Sequence, residues 1–304
     1  MTFVSFASGS SGNCYLLTEG RAAVLLDTGI SLRRIKTGLA RRALTPDDLS
    51  AVLITHEHSD HVAGLPMLLK YYKNVKVYAP QTVAHALERA AAGLEGRIVP
   101  IPVGESVALK NFTLTAFPTM HDTPESVGYV LTGKDARFGV CTDTGCVTAE
   151  MLDALAGCDA AVIEANHDVN MLRTGRYPVY LKRRILSDRG HLSNEACAQL
   201  ACALAKTGVR SLVLGHLSRE NNRPGLAERA VREALDGEGF SAVTLRVAPA
   251  EGDLELEVTP CCASNGSAPA RSRRAFMPPR ARNTTNACSA TARRRSSSFR
   301  RPAT

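Results

Sequence analysis

No apolar run in the 304-residue chain approaches the roughly 20 residues that a membrane-spanning helix needs. The opening stretch, MTFVSFASGSSGN, lacks a basic leader followed by an apolar core, so neither export nor a membrane anchor is expected. The nine cysteines show neither the paired spacing of a zinc knuckle nor a disulfide framework. Cys14, Cys141, Cys146, Cys158, Cys197 and Cys202 mostly stand in apolar runs, where cysteine acts as a small hydrophobe, and a reducing, cytoplasmic setting follows. Lysine and acidic residues are missing altogether from residues 261–304, which carry ten arginines. The formal net charge of +8 therefore belongs to that tail, because residues 1–260 hold 27 basic against 29 acidic residues. Overall basicity is thus no argument that the folded part binds nucleic acid.

What is present is ample apolar material, 44% of residues, enough for a sizeable core. Short β-type runs closed by Gly, Asp or polar loops recur at 3–6, 14–18, 22–26, 51–55, 75–79, 112–117, 127–131, 138–142, 160–165 and 211–214, with a closing pair at 242–247 and 254–258. Helical periodicity covers 32–43, 60–71, 81–92, 148–156, 194–206 and 225–235. Tight β–β connections early and helices later predict an α/β chain of two packed mixed sheets with helices outside them. Periodicity stops after Pro260, and the Arg/Ser-rich composition of 261–304 predicts a disordered tail beyond a folded domain over 1–260.

The chemistry concentrates in THEHSDH, residues 55–61, which packs His56, Glu57, His58, Asp60 and His61 into seven positions. Groups this easily charged repel one another or suffer desolvation unless something binds them, and the natural occupant is a metal. Glu57 is expected to point away into solvent. Other candidate ligands stand where β-type runs end: His121 after 112–117, Asp143 after 138–142 and His216 after 211–214. Strand ends gathered on one edge would unite seven ligands, which implies two divalent ions. Imidazole and carboxylate together leave Zn, Mn and Fe all open, with Zn or Mn favoured. His85, inside a helical pattern without partners, is expected at the surface.

THEHSDH with the later His121, Asp143 and His216 resembles the metallo-β-lactamase superfamily in its two-metal form, which implies the αββα sandwich. Carried over residue by residue, the resemblance assigns His56, His58 and His121 to one ion, Asp60, His61 and His216 to the other, and Asp143 to both. It also assigns Asp27, in LLDTG, to orienting a metal-bound histidine from behind. Asp60 and Asp143 are then catalytic through the metals. Two such ions lower the pKa of a shared water and neutralise charge that builds up on a phosphate or carbonyl oxygen.

FASGSSGNCYLL at 6–17, MHD at 120–122, EANHD at 164–168, GHLSN at 190–194 and GHLSREN at 215–221 narrow the resemblance, over about residues 1–258, to the YycJ/WalJ-type subgroup. That subgroup implies a 5′-to-3′ exonuclease acting on DNA. The Gly/Ser loop supplies N–H and hydroxyl donors suited to an oxyanion, making Ser10, Ser11 and Asn13 candidate substrate contacts, together with Ser193 and Asn194. Ser193 or Asn194 equally fits a helix cap. His191 and His167 are candidates for a catalytic role as extra ligands, proton donors or phosphate contacts. A nucleic-acid substrate would need a basic groove, for which Arg33, Arg34, Lys36, Arg41 and Arg42, or Arg173, Arg176, Lys182, Arg183 and Arg184, are available. Only 73 residues separate Asp143 from His216, too few for a large inserted domain, so specificity falls to core loops or a partner subunit. The main alternative is a small-molecule hydrolase, a lactonase or glyoxalase-II-like thioesterase. An oxygen-reducing di-iron protein fits poorly because His58 stands where Glu is usual. The oligomeric state stays open, a homo-oligomer included.

Overall fold

The computed structural model describes residues 1–90, 94 and 96–260, so the expected tail at 261–304 and positions 91–92 of the expected 81–92 helix lie outside the described residues. Fourteen strands are seen among the described residues: β1 Thr2–Ala7, β2 Cys14–Glu19, β3 Ala22–Leu26, β4 Ala51–Leu53, β5 Val77–Pro80, β6 Ile98–Ile101, β7 Ser106–Leu109, β8 Phe112–Pro118, β9 Val127–Thr132, β10 Arg137–Cys141, β11 Ala160–Glu164, β12 Ser211–Gly215, β13 Thr244–Val247 and β14 Leu254–Glu257. The helices are α1 Leu32–Ala40, α2 Ser59–Val62, α3 Leu65–Tyr71, α4 Gln81–Ala90, α5 Ala149–Leu155, α6 Val169–Thr174, α7 Val179–Ile185, α8 Asn194–Lys206 and α9 Pro224–Gly237. The strands form two seven-stranded sheets, ordered β14-β1-β2-β3-β4-β5-β6 and β13-β12-β11-β10-β9-β8-β7. Each is mixed: β3 through β6 pair in parallel, as do β10 through β13, while the neighbouring strands pair antiparallel. None of the described helices is long and apolar enough to cross a membrane.

Strands buried on both faces read as continuous apolar runs, and β3 and β11 have no exposed residue. Alternate side chains divide between layers: Phe3, Tyr15, Leu17, Val24 and Leu26 meet Leu114, Tyr129, Leu131, Phe138 and Val162 between the sheets. Val4, Leu16, Leu25 and Val52 instead face an outer layer with Ile35, Leu39, Leu68 and Val83 of α1, α3 and α4. Over the second sheet, Met151, Leu155, Leu200, Leu204 and Val231 of α5, α8 and α9 cover Ile163, Leu212 and Leu214. The result is the expected αββα sandwich.

Three details depart from the sequence reading. The helix expected over 60–71 is split, because Pro66 lacks a backbone N–H and Gly64 approaches the 28–30 loop too closely for a side chain: an added Cβ would lie 2.1 Å from the Ile30 carbonyl oxygen. The four-residue strands β6 and β7 are sheet edges, and β6 tolerates Pro100 for that reason. The short helices α6 and α7, interrupted by Gly175 and Pro178, show no sustained helical period.

Phe3 and Phe138, each fully buried, stack across the two sheets with ring centroids 4.7 Å apart. Phe138→Ala should therefore cost about 3–5 kcal/mol in urea unfolding; a loss below about 1 kcal/mol would mean that this contact does not join the layers.

Candidate metal centre

Strand ends at one edge of the sandwich supply the site. Asp27 directly follows β3, the THEHSDH loop follows β4 and opens α2, and His121 lies just beyond β8. Asp143 lies just beyond β10, Glu164 ends β11, and His216 directly follows β12. Asp27, Asp143 and His216 all adopt left-handed backbone, with φ of 55°, 59° and 56°. Non-glycine residues in that region carry strain that only a surrounding network sustains, and such residues gather at functional sites.

The network is built histidine by histidine. Asp27 is fully buried and accepts the backbone N–H of Thr55 at 2.9 Å, the Thr55 hydroxyl, and Nδ1–H of His61 at 2.8 Å. The Thr55 oxygen in turn accepts from Nδ1 of His56 at 3.0 Å. His121 donates Nδ1–H to the Gly190 carbonyl at 3.1 Å, and His216 donates Nδ1–H to Glu164 Oε1 at 2.8 Å. With one nitrogen of each ring tied outward, the Nε2 atoms face a common interior. There His121 Nε2 stands 3.2 Å from His58 Nδ1, His61 Nε2 stands 3.2 Å from Asp143 Oδ2, and His216 Nε2 stands 3.4 Å from Asp60 Oδ2.

Ligand atoms within 4.8 Å of one another form four groups: His56/His58/His121, Asp60/His61/His216, His56/His61/Asp143, and Asp143/Glu164/His191/His216. All seven expected ligands are thus brought together, and the two triads are joined through Asp143. Nε2 of His56 and Oδ2 of Asp143 are buried without a well-directed hydrogen bond among the described residues. Buried polar atoms are rarely left so, and these two line the interior of the groups, so the residues fit cations there.

Charge accounts for the rest. Burial alone would lower His61, yet Asp143 and Asp27 push it up to about 10. His216 also rises well above its ordinary value: burial opposes this, and Asp143, Asp60 and Glu164 overcome it. His56 falls well below, through burial and then its neighbouring histidines, His61 first. Although burial would raise Glu164, His191 and His216 bring it down to about 2. The carboxylates thus favour positive charge on both His61 and His216.

Several residues stand differently from their sequence reading. Glu57 is half-buried rather than solvated, accepting from the Thr123 hydroxyl at 2.6 Å. Asn13 is fully buried: its backbone N–H donates to the Asp60 carbonyl at 2.8 Å, and its side chain closes on Gly9 and stands 3.1 Å from His61 Nε2, so it braces both that ring and the loop that carries the exposed Ser10 and Ser11. Gly29 lets this strut approach, since a Cβ there would lie 1.7 Å from the Asp60 carbonyl oxygen. Ser193 caps α8 through the Ala196 N–H, and the buried Asn194 bonds Asn222. His191 joins the cluster through Glu164, at 2.8 Å. His167 is buried with neither ring nitrogen partnered among the described residues, burial lowers it to about 4, and it belongs to none of the four groups. His85 is exposed as expected, although it meets Gln81. Arg41 and Arg42 are paired with Asp253 and Glu255, which weakens the first basic patch as a groove.

Two residues were missed. Glu164, whose Oε1 holds both His191 and His216 while Oε2 accepts from the backbone of Thr144 and Leu192, was legible in EANHD but only as part of a motif. Asp122, 3.4 Å from His121 Nε2 and paired with Arg184, was visible in MHD. Glu164→Gln, which removes the charge and keeps the shape, should move the His216 titration of metal-free protein to lower pH, followed by histidine ring resonances in NMR. An unmoved titration would mean that Glu164 does not hold the ring charged.

The family described as Beta-lactamase superfamily domain matches residues 22–217. "Exodeoxyribonuclease YycJ" of Bacillus anthracis is 35% identical over 240 residues, covering 78% of this chain and 90% of that protein. "Exodeoxyribonuclease WalJ" of Streptococcus pneumoniae serotype 2 (strain D39 / NCTC 7466) is 38% identical over 234 residues, covering 75% and 86%. Among solved structures, the metallo-beta-lactamase fold protein YhfI from Bacillus subtilis superposes with a TM-score of 0.65 at 16% identity, over 84% of this chain and 99% of that one, a likeness of fold. With the family matched over most of its core and the expected ligands gathered at one sheet edge, the chain belongs to the beta-lactamase superfamily.

Proposed function

We propose that the protein is a two-metal phosphodiester hydrolase that removes nucleotides from DNA in the 5′-to-3′ direction. The observation that carries this reading is the joining of two ligand triads through Asp143 in a chain 35–38% identical to proteins named exodeoxyribonucleases. His56, His58 and His121 would hold one ion and Asp60, His61 and His216 the other, with Asp143 placed to serve both. Zn or Mn suits this imidazole and carboxylate set, with Fe the alternative. The pair of ions supplies hydroxide near neutral pH and takes up charge on the phosphate oxygens.

The chain's own part is orientation and proton handling. Asp27 and Glu164 each hold an Nδ1–H, so that the Nε2 lone pairs of His61 and His216 face inward. His191, one-fifth exposed and anchored at Nδ1 by Glu164, has an Nε2 without a hydrogen-bond partner among the described residues, which can take up the proton released by the attacking water and pass it to the leaving oxygen. Ser10 and Ser11, exposed on the β1–β2 loop, are contacts for the phosphate or its neighbours. The buried free cysteines fit a reducing cytoplasmic setting.

The test is metal-reconstituted protein incubated with end-labelled single- and double-stranded DNA and RNA, beside thioester and lactone panels. Stepwise shortening of DNA from the 5′ end is expected. Asp60→Ala and Asp143→Ala should each lower the rate by roughly 10²–10³-fold or more. Full activity in Asp143→Ala, or turnover of thioester or lactone with every nucleic acid left intact, would contradict the reading.

A further inference from the structure

Between β11 and α8, residues 169–189 fold as α6 and α7 and return to the site at Gly190 and His191. This segment holds six cationic side chains, Arg173, Arg176, Lys182, Arg183, Arg184 and Arg189, against one acid, Asp188. Three of the six are engaged. Lys182 donates to the carbonyls of Arg173 and Gly175, Arg184 pairs with Asp122, and Arg189 donates to the carbonyls of His121 and Thr123. Arg173, Arg176 and Arg183 are exposed and have no hydrogen-bond or ion-pair partner for their guanidinium groups among the described residues.

Apolar groups are exposed beside them. Tyr180 is 73% exposed, Val179 64% and Leu186 41%, and Val179, Arg183 and Leu186 recur at helical spacing with Tyr180 alongside. An aromatic ring beside unpaired guanidinium groups is the combination on which single-stranded nucleic acid stacks its bases and neutralises its phosphates. A protein partner docking on the apolar groups would have to face three unpaired cations; a polyanion with exposed π-faces matches both features at once.

The face is continuous with the metal centre. Arg184 holds Asp122 beside His121, Arg189 holds the His121 carbonyl, and the Gly190 carbonyl that follows α7 accepts from His121 Nδ1. We infer that α6–α7 is the platform for the single-stranded end of the DNA, with Tyr180 stacking an unpaired base and Arg176 and Arg183 binding the adjoining phosphates. The inference rests on the nuclease reading above and names the strand that the same site receives.

The experiment uses full-length, metal-loaded protein and a 3′-labelled, phosphorothioate-linked single strand, so that binding is read by fluorescence anisotropy without turnover. Tyr180→Ala should weaken binding about tenfold, with a far smaller effect on a blunt duplex, whose bases are already stacked on each other. Arg176→Ala with Arg183→Ala should reduce the slope of log affinity against log salt by about 1.4. Unchanged single-strand affinity and salt slope, or an equal loss on strand and duplex, would overturn the inference. So would a dimer-to-monomer shift in light scattering at unchanged strand affinity, which would give the face to a second copy of the chain. Parent protein that binds the strand as expected but hydrolyses no nucleic acid would sink the nuclease reading and leave the platform standing.

Discussion

A buried carboxylate surrounded by imidazoles is the constraint on which the rest depends. Asp143 is only 2% exposed, yet Nε2 of His61 and Nδ1 of His216 lie 3.2 and 3.4 Å from its oxygens, with His191 and His121 at 3.7 and 3.8 Å. Burying that much ionisable material costs several kcal/mol per uncompensated charge. The sandwich tolerates it because each ring is fixed from behind by a carboxylate, a hydroxyl or a carbonyl, and because the interior can hold compensating positive charge. The carboxylates themselves favour positive charge there, raising both His61 and His216 against the effect of burial. Cations can supply it, since ligand atoms already converge.

The fold serves this arrangement in a direct way. Parallel strands β3 and β4, and β10, β11 and β12, all end on the same rim, so side chains far apart in sequence arrive there without long loops. Fully buried strands make that rim rigid, and the left-handed residues Asp27, Asp143 and His216 turn the chain sharply at its edge. Asp27 and Glu164 play parallel parts, one behind His61 from the first sheet and one behind His216 from the second.

Much of this was legible in the sequence because apolar runs that end in a polar residue mark both the strand and what it presents. β3 and α8 have the boundaries that the pattern predicts, and His121, Asp143 and His216 were found by standing just past such runs. What escaped has physical reasons. Edge strands β6 and β7 are short and half-exposed, so they lack a clear alternation. Glu164 lies at the end of an apolar run like the ligands, but a fully buried acid that orients two histidines carries no spacing rule of its own. Asn13 looked like a substrate contact in a Gly/Ser loop, and only its bonds to the Asp60 carbonyl and its amide beside His61 Nε2 reveal it as a strut. The α6–α7 segment was visible as a basic stretch, whereas its exposed Tyr180 acquires meaning only beside unpaired arginines.

The central claim is that two cations share Asp143 at this rim. Anomalous diffraction from crystals of the protein loaded with Mn tests it most directly. The account predicts two peaks about 3.5–4 Å apart, one bounded by His56, His58 and His121 and the other by Asp60, His61 and His216. A single peak, or an ion held instead by Glu164, His191 and His216, would contradict it.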